Sequence, residues 1–398
     1  MKRLGSKKLE QLGSAIFAEV DEWKKEASAR GLQVIDLGIG SPDLPPSPAV
    51  VEALRAATAD MANYSYPSSE GLAEFREKAA EWLAWRFGAS VDPQHELLAL
   101  MGTQDGLAHL PLALCDPGDT AIVPDPGYPI YAAGLALAGG VPYVTPLTRD
   151  NDFLPQFDRI PREVADKAVY MLISYPSNPL AAVASPDFYE QAVAFGRKHD
   201  ILIVHDLAYS EMAFDGHRPS SILTVPGARQ TAIEFHSLSK SFNMAGGRIG
   251  FVAGRRDAVE ALKRLKSNID YGPFKAVQRA GIAAMDEHMR GGTASVSAVY
   301  ERRRDLFVSE LERAGWTIGR PAATMFVWAA IPPGTSSRQI SREMVLETGV
   351  AVIPGDAFGA QGEGYIRIAL VQSDELLIEA ARRIGSFMNK WRRMGDVR

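Results

Sequence analysis

The stretch that decides the fold reads Ser237-Leu238-Ser239-Lys240-Ser241-Phe242-Asn243-Met244-Ala245-Gly246-Gly247-Arg248-Ile249-Gly250. It lies between two apolar segments, 231–236 and 248–253, that predict β-strands. A lysine in a tight, partly desolvated loop can lose its proton and form a Schiff base with a carbonyl group. Serine hydroxyls beside Lys240 and the guanidinium of Arg248 suit a phosphate. The combination predicts a ligand with both an aldehyde and a phosphate, as in pyridoxal phosphate.

Two other interpretations of this stretch stay open at this point. A serine-rich turn with one lysine is often only a turn. Ser237-x-x-Lys240 also matches the acyl-enzyme motif of penicillin-binding proteins and β-lactamases, which carry Lys-Thr-Gly and Ser-Asp-Asn elsewhere. Neither tripeptide occurs in the chain. The rest of the sequence therefore has to distinguish a cofactor loop from a turn.

Length and composition limit the classes of protein that the chain can belong to. Its 398 residues suffice for two domains, and 46% hydrophobic with 23% charged residues is ordinary for a globular protein. The net charge of −5 gives no reason to expect nucleic-acid binding. The single cysteine, Cys115, excludes a disulfide framework and a cysteine-based zinc site. We predict no metal.

The sequence predicts a soluble cytoplasmic protein. No apolar segment of about 18 residues is present, as a membrane-spanning helix would require. We also expect no secretory signal, because no apolar segment follows Met1 to Lys8.

Strand-like and helix-like segments alternate along the middle of the chain. Alternation of this kind favours an α/β fold with a large, doubly wound, mainly parallel sheet. We predict an N-terminal arm with part of a small domain at 1–47, a large domain at 48–285 and a small α+β domain at 286–398. The main predicted strands are 120–124, 141–145, 168–174, 201–205, 231–236 and 248–253, and helices are predicted at 9–30, 48–59, 72–87, 105–114, 186–199, 336–347 and 374–392.

Two glycine turns are candidates for ligand contacts. Gly38-Ile39-Gly40 follows a strand-like segment, but the third glycine of a dinucleotide loop is missing and Pro42 interrupts the helix start. Close approach of the backbone to a ligand is the alternative. The turn Gly102-Thr103-Gln104 precedes the helix predicted at 105–114, and the N-terminus of a helix presents free N–H groups to an anion.

A carboxylate closes the buried strand-like segment 201–205. Burying Asp206 without a partner is costly, so the position predicts a structural arginine, a helix N-terminus or a protonated pyridine nitrogen beside it. Tyr209, three residues later, could reach the oxygen on such a ring.

Taken together, these motifs resemble a fold-type I, class I/II aminotransferase that depends on pyridoxal phosphate. The resemblance covers nearly the whole chain in order and spacing. The segments 205–211, 235–240 and 266–270 are similar to the LL-diaminopimelate aminotransferase branch and its alanine-type relatives. The residues that carry it are Tyr128 after Asp125-Pro126-Gly127, Asn178-Pro179, Asp206 with Tyr209, Ser237-x-Ser239-Lys240, Arg248 and Arg367.

The resemblance implies a role for each matched residue. Lys240 would bind the cofactor aldehyde and move the proton, and Asp206 would pair with the pyridine nitrogen. Arg367 would bind the substrate carboxylate beside Gly40 and Asn178. The remaining implied contacts are Tyr209 and Asn178 at the ring oxygen, Tyr128 on the ring face, and Thr103, Gln104, Ser237, Ser239 and Arg248 at the phosphate, together with Tyr66 from a second subunit of a homodimer.

For some of these residues a structural role is the alternative. Tyr66 and Tyr128 could be packing aromatics. Thr103 and Gln104 could cap a helix. His205 and His236, which adjoin site residues, are predicted to point to the opposite side of their strands.

Two positions depart from the pattern of the family. Leu180-Ala181 follows Asn178-Pro179 where the family usually has Thr-Gly, and Gly247 stands where a tryptophan often precedes the arginine.

The expected activity is a ping-pong exchange between an L-amino acid, such as LL-diaminopimelate or alanine, and a 2-oxo acid, with 2-oxoglutarate and glutamate as the implied pair. A lyase that cleaves a C–S bond would use the same residues. A non-catalytic regulatory protein on the same fold is the remaining alternative.

Overall fold

The computed structural model describes residues 4–6, 8, 9, 12, 15–292 and 296–395 of the chain. The start of the helix predicted at 9–30, and the first residues of the arm predicted at 1–47, lie partly outside these residues. Within them, the strands are β1 Ile35–Asp36, β2 Leu97–Leu100, β3 Thr120–Asp125, β4 Val141–Pro146, β5 Ala168–Ser174, β6 Leu202–Asp206, β7 Ala232–Ser237, β8 Gly250–Gly254, β9 Phe326–Ala330, β10 Val350–Ala351, β11 Ile353–Pro354 and β12 Tyr365–Ala369.

The helices between these strands agree with most of the predicted segments. Across the described ranges, every helix is too short or too polar to serve as a membrane span. The helices are α1 Ala15–Ala29, α2 Pro48–Ala59, α3 Ala73–Phe87, α4 Thr103–Leu114, α5 Ile130–Ala138, α6 Arg162–Ala165, α7 Pro186–His199, α8 Leu238–Ser241, α9 Arg256–Ile269, α10 Lys275–Met289, α11 Val296–Arg313, α12 Ser337–Thr348 and α13 Asp374–Gly395.

The main sheet has the order β2-β8-β7-β6-β5-β3-β4. Strands β3 to β7 pair in parallel, whereas β8 runs antiparallel to both β7 and β2. The sheet is therefore mainly parallel, as predicted. Its parallel strands are nearly continuous apolar segments because both faces are covered by helices. One face packs against α4, α5 and α9, and the other against α3, α7 and α10.

Three of the parallel strands end in polar residues at one edge of the sheet. Ser174 is the last residue of β5, Asp206 of β6 and Ser237 of β7. Because the carboxyl ends of parallel strands meet at the same edge, these side chains are brought together there, where ligands of open α/β sheets bind.

A second, smaller sheet lies in the C-terminal part of the chain. Its order is β11-β12-β9, with antiparallel pairing, and β1 pairs in parallel with β10. Apolar residues of α11, α12 and α13 form one core with these strands, and Ile35 and Leu37 join it. The N-terminal strand is thus tied to the small lobe, and the exact boundaries 47/48 and 285/286 stay predictions.

Candidate active site

A cavity of about 660 Å³ opens at the carboxyl edge of the main sheet. This volume is in the range of small-molecule sites. Twelve of the thirteen residues predicted for the site contribute to its wall: Gly40, Thr103, Gln104, Tyr128, Asn178, Asp206, Tyr209, Ser237, Ser239, Lys240, Arg248 and Arg367.

Lys240 lies in the one-turn helix α8, directly after β7. Its Nζ donates a hydrogen bond to the carbonyl oxygen of Gly40 at 2.6 Å. Burial lowers the pKa of Lys240 to about 8, and the positive charges of Arg367 and Arg248 act in the same direction. A substantial fraction of this amine is therefore neutral near physiological pH and able to act as a nucleophile or a base.

Asp206 is buried at the end of β6 and is hydrogen-bonded by neutral groups. The Tyr131 hydroxyl donates to its Oδ2 at 2.7 Å, and the backbone N–H of Ala208 donates to Oδ1 at 3.3 Å. Among the described residues, no basic side chain forms an ion pair with it within 4 Å. Burial raises the pKa of this carboxyl group. A cationic ligand group beside Asp206 would relieve that cost.

Tyr131 was not predicted from the sequence. It lies three residues after Tyr128, near the start of α5, and its ring packs edge-on against that of Tyr128 with centroids 5.9 Å apart. Only the fold brings α5 over the end of β6, so the sequence contained no signal for its contact with Asp206.

A possible phosphate site lies at the N-terminus of α4. The helix begins at Thr103, two residues earlier than predicted, because Gly102 adopts φ +77° and turns the chain into it. No side chain of the described residues caps this end, so Thr103 and Gln104 belong to the first turn and the free N–H groups remain available.

Arg248 completes this end of the cavity. Its Nη1 donates to the carbonyl oxygen of Ala245 at 3.1 Å, and a Cβ on Gly102 would lie 2.6 Å from its Nη2. The glycine thus leaves the space that the guanidinium occupies. Ser237 and Ser239 supply hydroxyls nearby, with the Ser237 Oγ accepting a 3.2 Å hydrogen bond from the backbone N–H of Ser239. Helix N-terminus, guanidinium and hydroxyls together match a phosphate.

Arg367 is a buried basic residue in the wall of the cavity. Only 3% of it is exposed, and burial lowers its pKa to about 10. Its Nη1 donates to Asn178 Oδ1 and its Nη2 to the carbonyl oxygen of Gly38, both at 2.8 Å. In the described chain no carboxylate pairs with it, and its Nε has no partner. The guanidinium is therefore suited to a carboxylate from a ligand.

Aromatic rings hold Arg367 in place. Its guanidinium carbon lies 4.2 Å from the centre of the Phe326 ring and 4.7 Å from that of Phe358. Tyr209 packs edge-on against Phe326, and burial raises the pKa of its phenol, which stays neutral. The Tyr128 hydroxyl donates to Gln104 Oε1 at 3.0 Å. These contacts pack the guanidinium of Arg367 among uncharged aromatic side chains.

The departure at Ala181 has a backbone consequence. Ala181 adopts φ +54°, a conformation that favours glycine, which the family usually has there. Its N–H donates to the carbonyl oxygen of Ser177 at 2.9 Å, so the turn after Asn178 forms nonetheless. Asn178 keeps its contact with Arg367 despite the substitution.

Tyr66 is the one predicted site residue that does not line the cavity. It is 83% exposed, and its ring contacts that of Tyr271, with centroids 4.9 Å apart. Tyr64 and Phe274 form a similar exposed pair beside it at 5.6 Å. The predicted contact of Tyr66 with a second subunit stays a prediction.

Two acidic residues and a histidine cluster between α4 and the C-terminal end of α9. Asp105, His109 and Asp270 lie close enough together to suggest a metal site. The buried ammonium of Lys266, however, donates to both carboxylates, at 2.5 Å to Asp105 and 2.8 Å to Asp270. The lysine supplies the cation of this cluster and ties α9 to the first turn of α4.

The residues fit pyridoxal phosphate at three points. Asp206 is buried without a cation, as a pyridinium nitrogen would require. The N-terminus of α4 with Arg248 suits the phosphate. Lys240, with its lowered pKa, suits the aldehyde.

Comparison with known proteins gives the following matches. The family model "Aminotransferase class I and II" matches residues 33–384. LL-diaminopimelate aminotransferase of Desulforudis audaxviator is 47% identical over 380 residues, which cover 95% of this chain and 96% of that protein.

Solved structures agree with these matches. The structure of substrate-bound BacF from Bacillus subtilis has a TM-score of 0.91 and 35% identity, covering 97% of this chain and 98% of that one. A mutant of the Thermus thermophilus aspartate aminotransferase gives a TM-score of 0.89 at 27% identity, covering 97% and 100%.

Proposed function

This chain belongs to the class I and II aminotransferases, a family that uses pyridoxal phosphate, and we propose that its own substrates are LL-diaminopimelate and 2-oxoglutarate. In the proposed reaction, LL-diaminopimelate gives its amino group to the enzyme and leaves as the 2-oxo acid. 2-Oxoglutarate then takes the amino group and leaves as glutamate.

The observation that carries the proposal is that two basic side chains of the cavity wall donate hydrogen bonds to one short segment, 38–40. Lys240 donates to the carbonyl oxygen of Gly40, and Arg367 donates to that of Gly38. An amino acid whose carboxylate binds Arg367 therefore has its amino group directed toward Lys240. This is the arrangement that amino transfer needs.

Pyridoxal phosphate, when bound, supplies the electron sink that makes the α-carbon of an amino acid acidic. We assign the residues at its two ends from their contacts. The Asp206 carboxylate, oriented by the Tyr131 hydroxyl, would pair with the ring nitrogen. The N-terminus of α4, together with Ser237, Ser239 and Arg248, would bind the phosphate.

Lys240 is the proposed general base. With a pKa of about 8, its Nζ can take the proton from the α-carbon of the donor amino acid and can later deliver a proton to the α-carbon of the product amino acid. An unperturbed lysine would be almost fully protonated at neutral pH and could not accept it. Burial and the neighbouring Arg367 and Arg248 thus contribute to the proposed mechanism by lowering the pKa of Lys240.

Arg367 is the proposed binding group for the α-carboxylate, which donor and acceptor share. Its planar fork can donate two parallel hydrogen bonds to a carboxylate. Asn178, which contacts Nη1, would orient that fork. Because one guanidinium serves both half-reactions, the two substrates would compete for the same position.

The choice of LL-diaminopimelate rests on the similarity to curated relatives with that name, at 42–47% identity over at least 95% of the chain. We also propose a homodimer, in which the exposed pairs Tyr64–Phe274 and Tyr66–Tyr271 are covered by a second copy. Tyr66 would then reach the phosphate in the other subunit.

The first test is the visible absorption spectrum of the purified protein mixed with pyridoxal phosphate, before and after borohydride. We expect a band that borohydride bleaches and that a Lys240→Ala variant lacks. Lys198→Ala, which removes an exposed lysine of α7, is the control and should retain the band. Wild-type protein without such a band would remove the proposal.

A substrate screen then tests the choice of donor. The protein should convert LL-diaminopimelate with 2-oxoglutarate to glutamate faster than it converts alanine. A higher rate with alanine would replace the donor. Release of pyruvate from cystathionine without a 2-oxo acid would identify a lyase instead.

A further inference from the structure

A buried carboxylate lies on the face of the main sheet that points away from the cavity. Glu234, in β7, is fully buried and accepts four hydrogen bonds. Its Oε1 accepts from His236 Nε2 at 2.7 Å and Ser221 Oγ at 2.6 Å. Its Oε2 accepts from His205 Nδ1 and the backbone N–H of Ile222, both at 2.8 Å. All lone-pair positions of the carboxylate are thereby used.

The partners of His205 determine its protonation. Its Nε2 lies 3.1 Å from the carbonyl oxygen of Tyr175, which can only accept a hydrogen bond. Its Nδ1 lies against the Glu234 carboxylate. Both ring nitrogens therefore face acceptors, and the ring satisfies them only as an imidazolium. His236 differs, because its Nδ1 has no hydrogen-bond partner within the described part of the chain and one proton on Nε2 is enough for its contact with Glu234.

We call Glu234, His205 and His236 the strand brace. His205 of β6 donates through Nδ1 to the Glu234 carboxylate of β7, and through Nε2 to the carbonyl oxygen of Tyr175, the residue directly after β5. The ring of His236 stacks on Phe251 of β8, with centroids 4.9 Å apart and planes 17° apart. The brace therefore connects four neighbouring strands just below the edge that carries the site.

Each histidine of the strand brace precedes a site residue. Successive residues of a strand face opposite sides, so His205 points away from the cavity while Asp206 points into it, and His236 and Ser237 are arranged in the same way. As predicted, neither histidine lines the cavity. The positive charge on His205 lies one residue from Asp206 and favours the ionised form of that carboxylate, which burial disfavours.

We propose that His205, held as an imidazolium by Glu234, is a positioning residue that keeps Asp206 ionised and in place for the ring nitrogen of the cofactor. This inference rests on the proposed function. It adds a role for two residues that do not touch the cofactor.

The test compares His205→Asn and Glu234→Gln with wild-type protein. An asparagine amide can replace the Nδ1 donor of His205 but carries no charge, and a glutamine cannot hold an imidazolium. His199→Asn is the matched control, because His199 also pairs with a carboxylate, Asp166, at 2.7 Å but on α7 outside the cavity wall.

We expect both test variants to raise the Kd for pyridoxal phosphate about tenfold, because the Asp206 carboxylate loses a neighbouring positive charge that favours its ionised form. At saturating cofactor, kcat should fall while KM for the amino acid changes less than about twofold, because Arg367 is unaffected. The control should match wild type in all three quantities. Test variants that bind pyridoxal phosphate as tightly as the control would overturn the inference.

A second measurement needs neither variant nor cofactor. Nitrogen-15 NMR of wild-type protein should show both ring nitrogens of His205 protonated, because each of them faces a hydrogen-bond acceptor. The signal can be assigned through the contact with the Tyr189 ring, 5.0 Å away. A neutral His205 would contradict the inference even if the protein proved to be an active aminotransferase. Failure to bind pyridoxal phosphate, in contrast, would remove the proposed function and leave the NMR result standing.

Discussion

The Nζ of Lys240 lies 2.6 Å from the carbonyl oxygen of Gly40, a residue two hundred positions earlier in the chain. Gly40 follows β1, which pairs with β10 of the small lobe, whereas Lys240 follows β7 of the main sheet. The contact therefore joins the main sheet and the small lobe at the proposed reacting amine.

The pKa of Lys240 predicts a pH dependence for cofactor uptake. The neutral amine is the reactive form, and its fraction rises with pH through about 8. The rate at which apoprotein takes up pyridoxal phosphate should therefore rise between about pH 7 and 9 and then level off. Stopped-flow absorbance measures this rate. A rate that rises only above about pH 10 would mean that the amine is not perturbed.

Arg367→Lys should weaken substrate binding strongly, although the variant keeps the positive charge at this position. Lysine cannot donate two parallel hydrogen bonds from a planar group, so kcat/KM should fall about a hundredfold, equivalent to roughly 3 kcal/mol. The Kd for pyridoxal phosphate should not change. Steady-state kinetics and cofactor titration separate the two effects, and Arg162→Lys, on the surface, is the control. Equal losses in cofactor and substrate binding would contradict the assignment.

Tyr131→Phe should weaken cofactor binding by removing the hydroxyl that donates to Asp206. A hydrogen bond to a charged group contributes about 1.5–3 kcal/mol, which predicts a rise in Kd of at least about tenfold. Fluorescence titration with pyridoxal phosphate measures it. Tyr170→Phe, which alters a buried tyrosine of β5, should bind the cofactor like wild type. Equal Kd values for the two variants would show that Tyr131 does not orient Asp206.

Comparing Gly102→Ala with Gly88→Ala distinguishes the cost of backbone strain from the effect of blocking the proposed phosphate site. Both glycines have positive φ, +77° and +76°, so each substitution should cost about 1 kcal/mol of stability. Only at Gly102 would the new Cβ collide with Arg248, whereas nothing lies within 4 Å at Gly88. Thermal unfolding should show similar losses, but binding of inorganic phosphate should weaken only in Gly102→Ala. Unchanged phosphate binding there would place the phosphate elsewhere.

The exposed aromatic pairs predict a surface that is covered in a dimer. Replacing Tyr271 and Phe274 by serine should shift the protein toward monomer at micromolar concentration, because aromatic residues contribute much of the energy of an interface. Sedimentation equilibrium measures the shift. Val144→Thr, at another exposed apolar position on β4, should not change the association. A wild-type protein that is monomeric would remove the dimer from the proposal.

The sequence predicted the regular elements well because their periodicity is strong. The helices at 48–59 and 186–199 and the strand at 168–174 begin and end as predicted. Proline and serine at the helix starts mark these boundaries. The direction of β8 could not be predicted, since periodicity does not show whether a strand returns parallel or antiparallel.

The site was predictable where residues follow a strand and share a motif, as with Asp206 and Lys240. Contacts across the sheet were not. Glu234 and His205 are 29 residues apart, and only the register between β6 and β7 makes them partners. Asp206 likewise was expected to have a positive partner, but the side chain that donates to it is Tyr131, from a helix above the sheet.

The segment from Gly38 to Gly40 has one more consequence, for the kind of amino acid that can react. Its two carbonyl oxygens hold Arg367 and Lys240, and they belong to residues only two positions apart, a span of at most about 7 Å. An α-amino acid, whose nitrogen and carboxylate share one carbon, can meet both cations across this span. A γ-amino acid has two further carbons between these groups, and we therefore expect α-amino acids to react in preference to γ-amino acids.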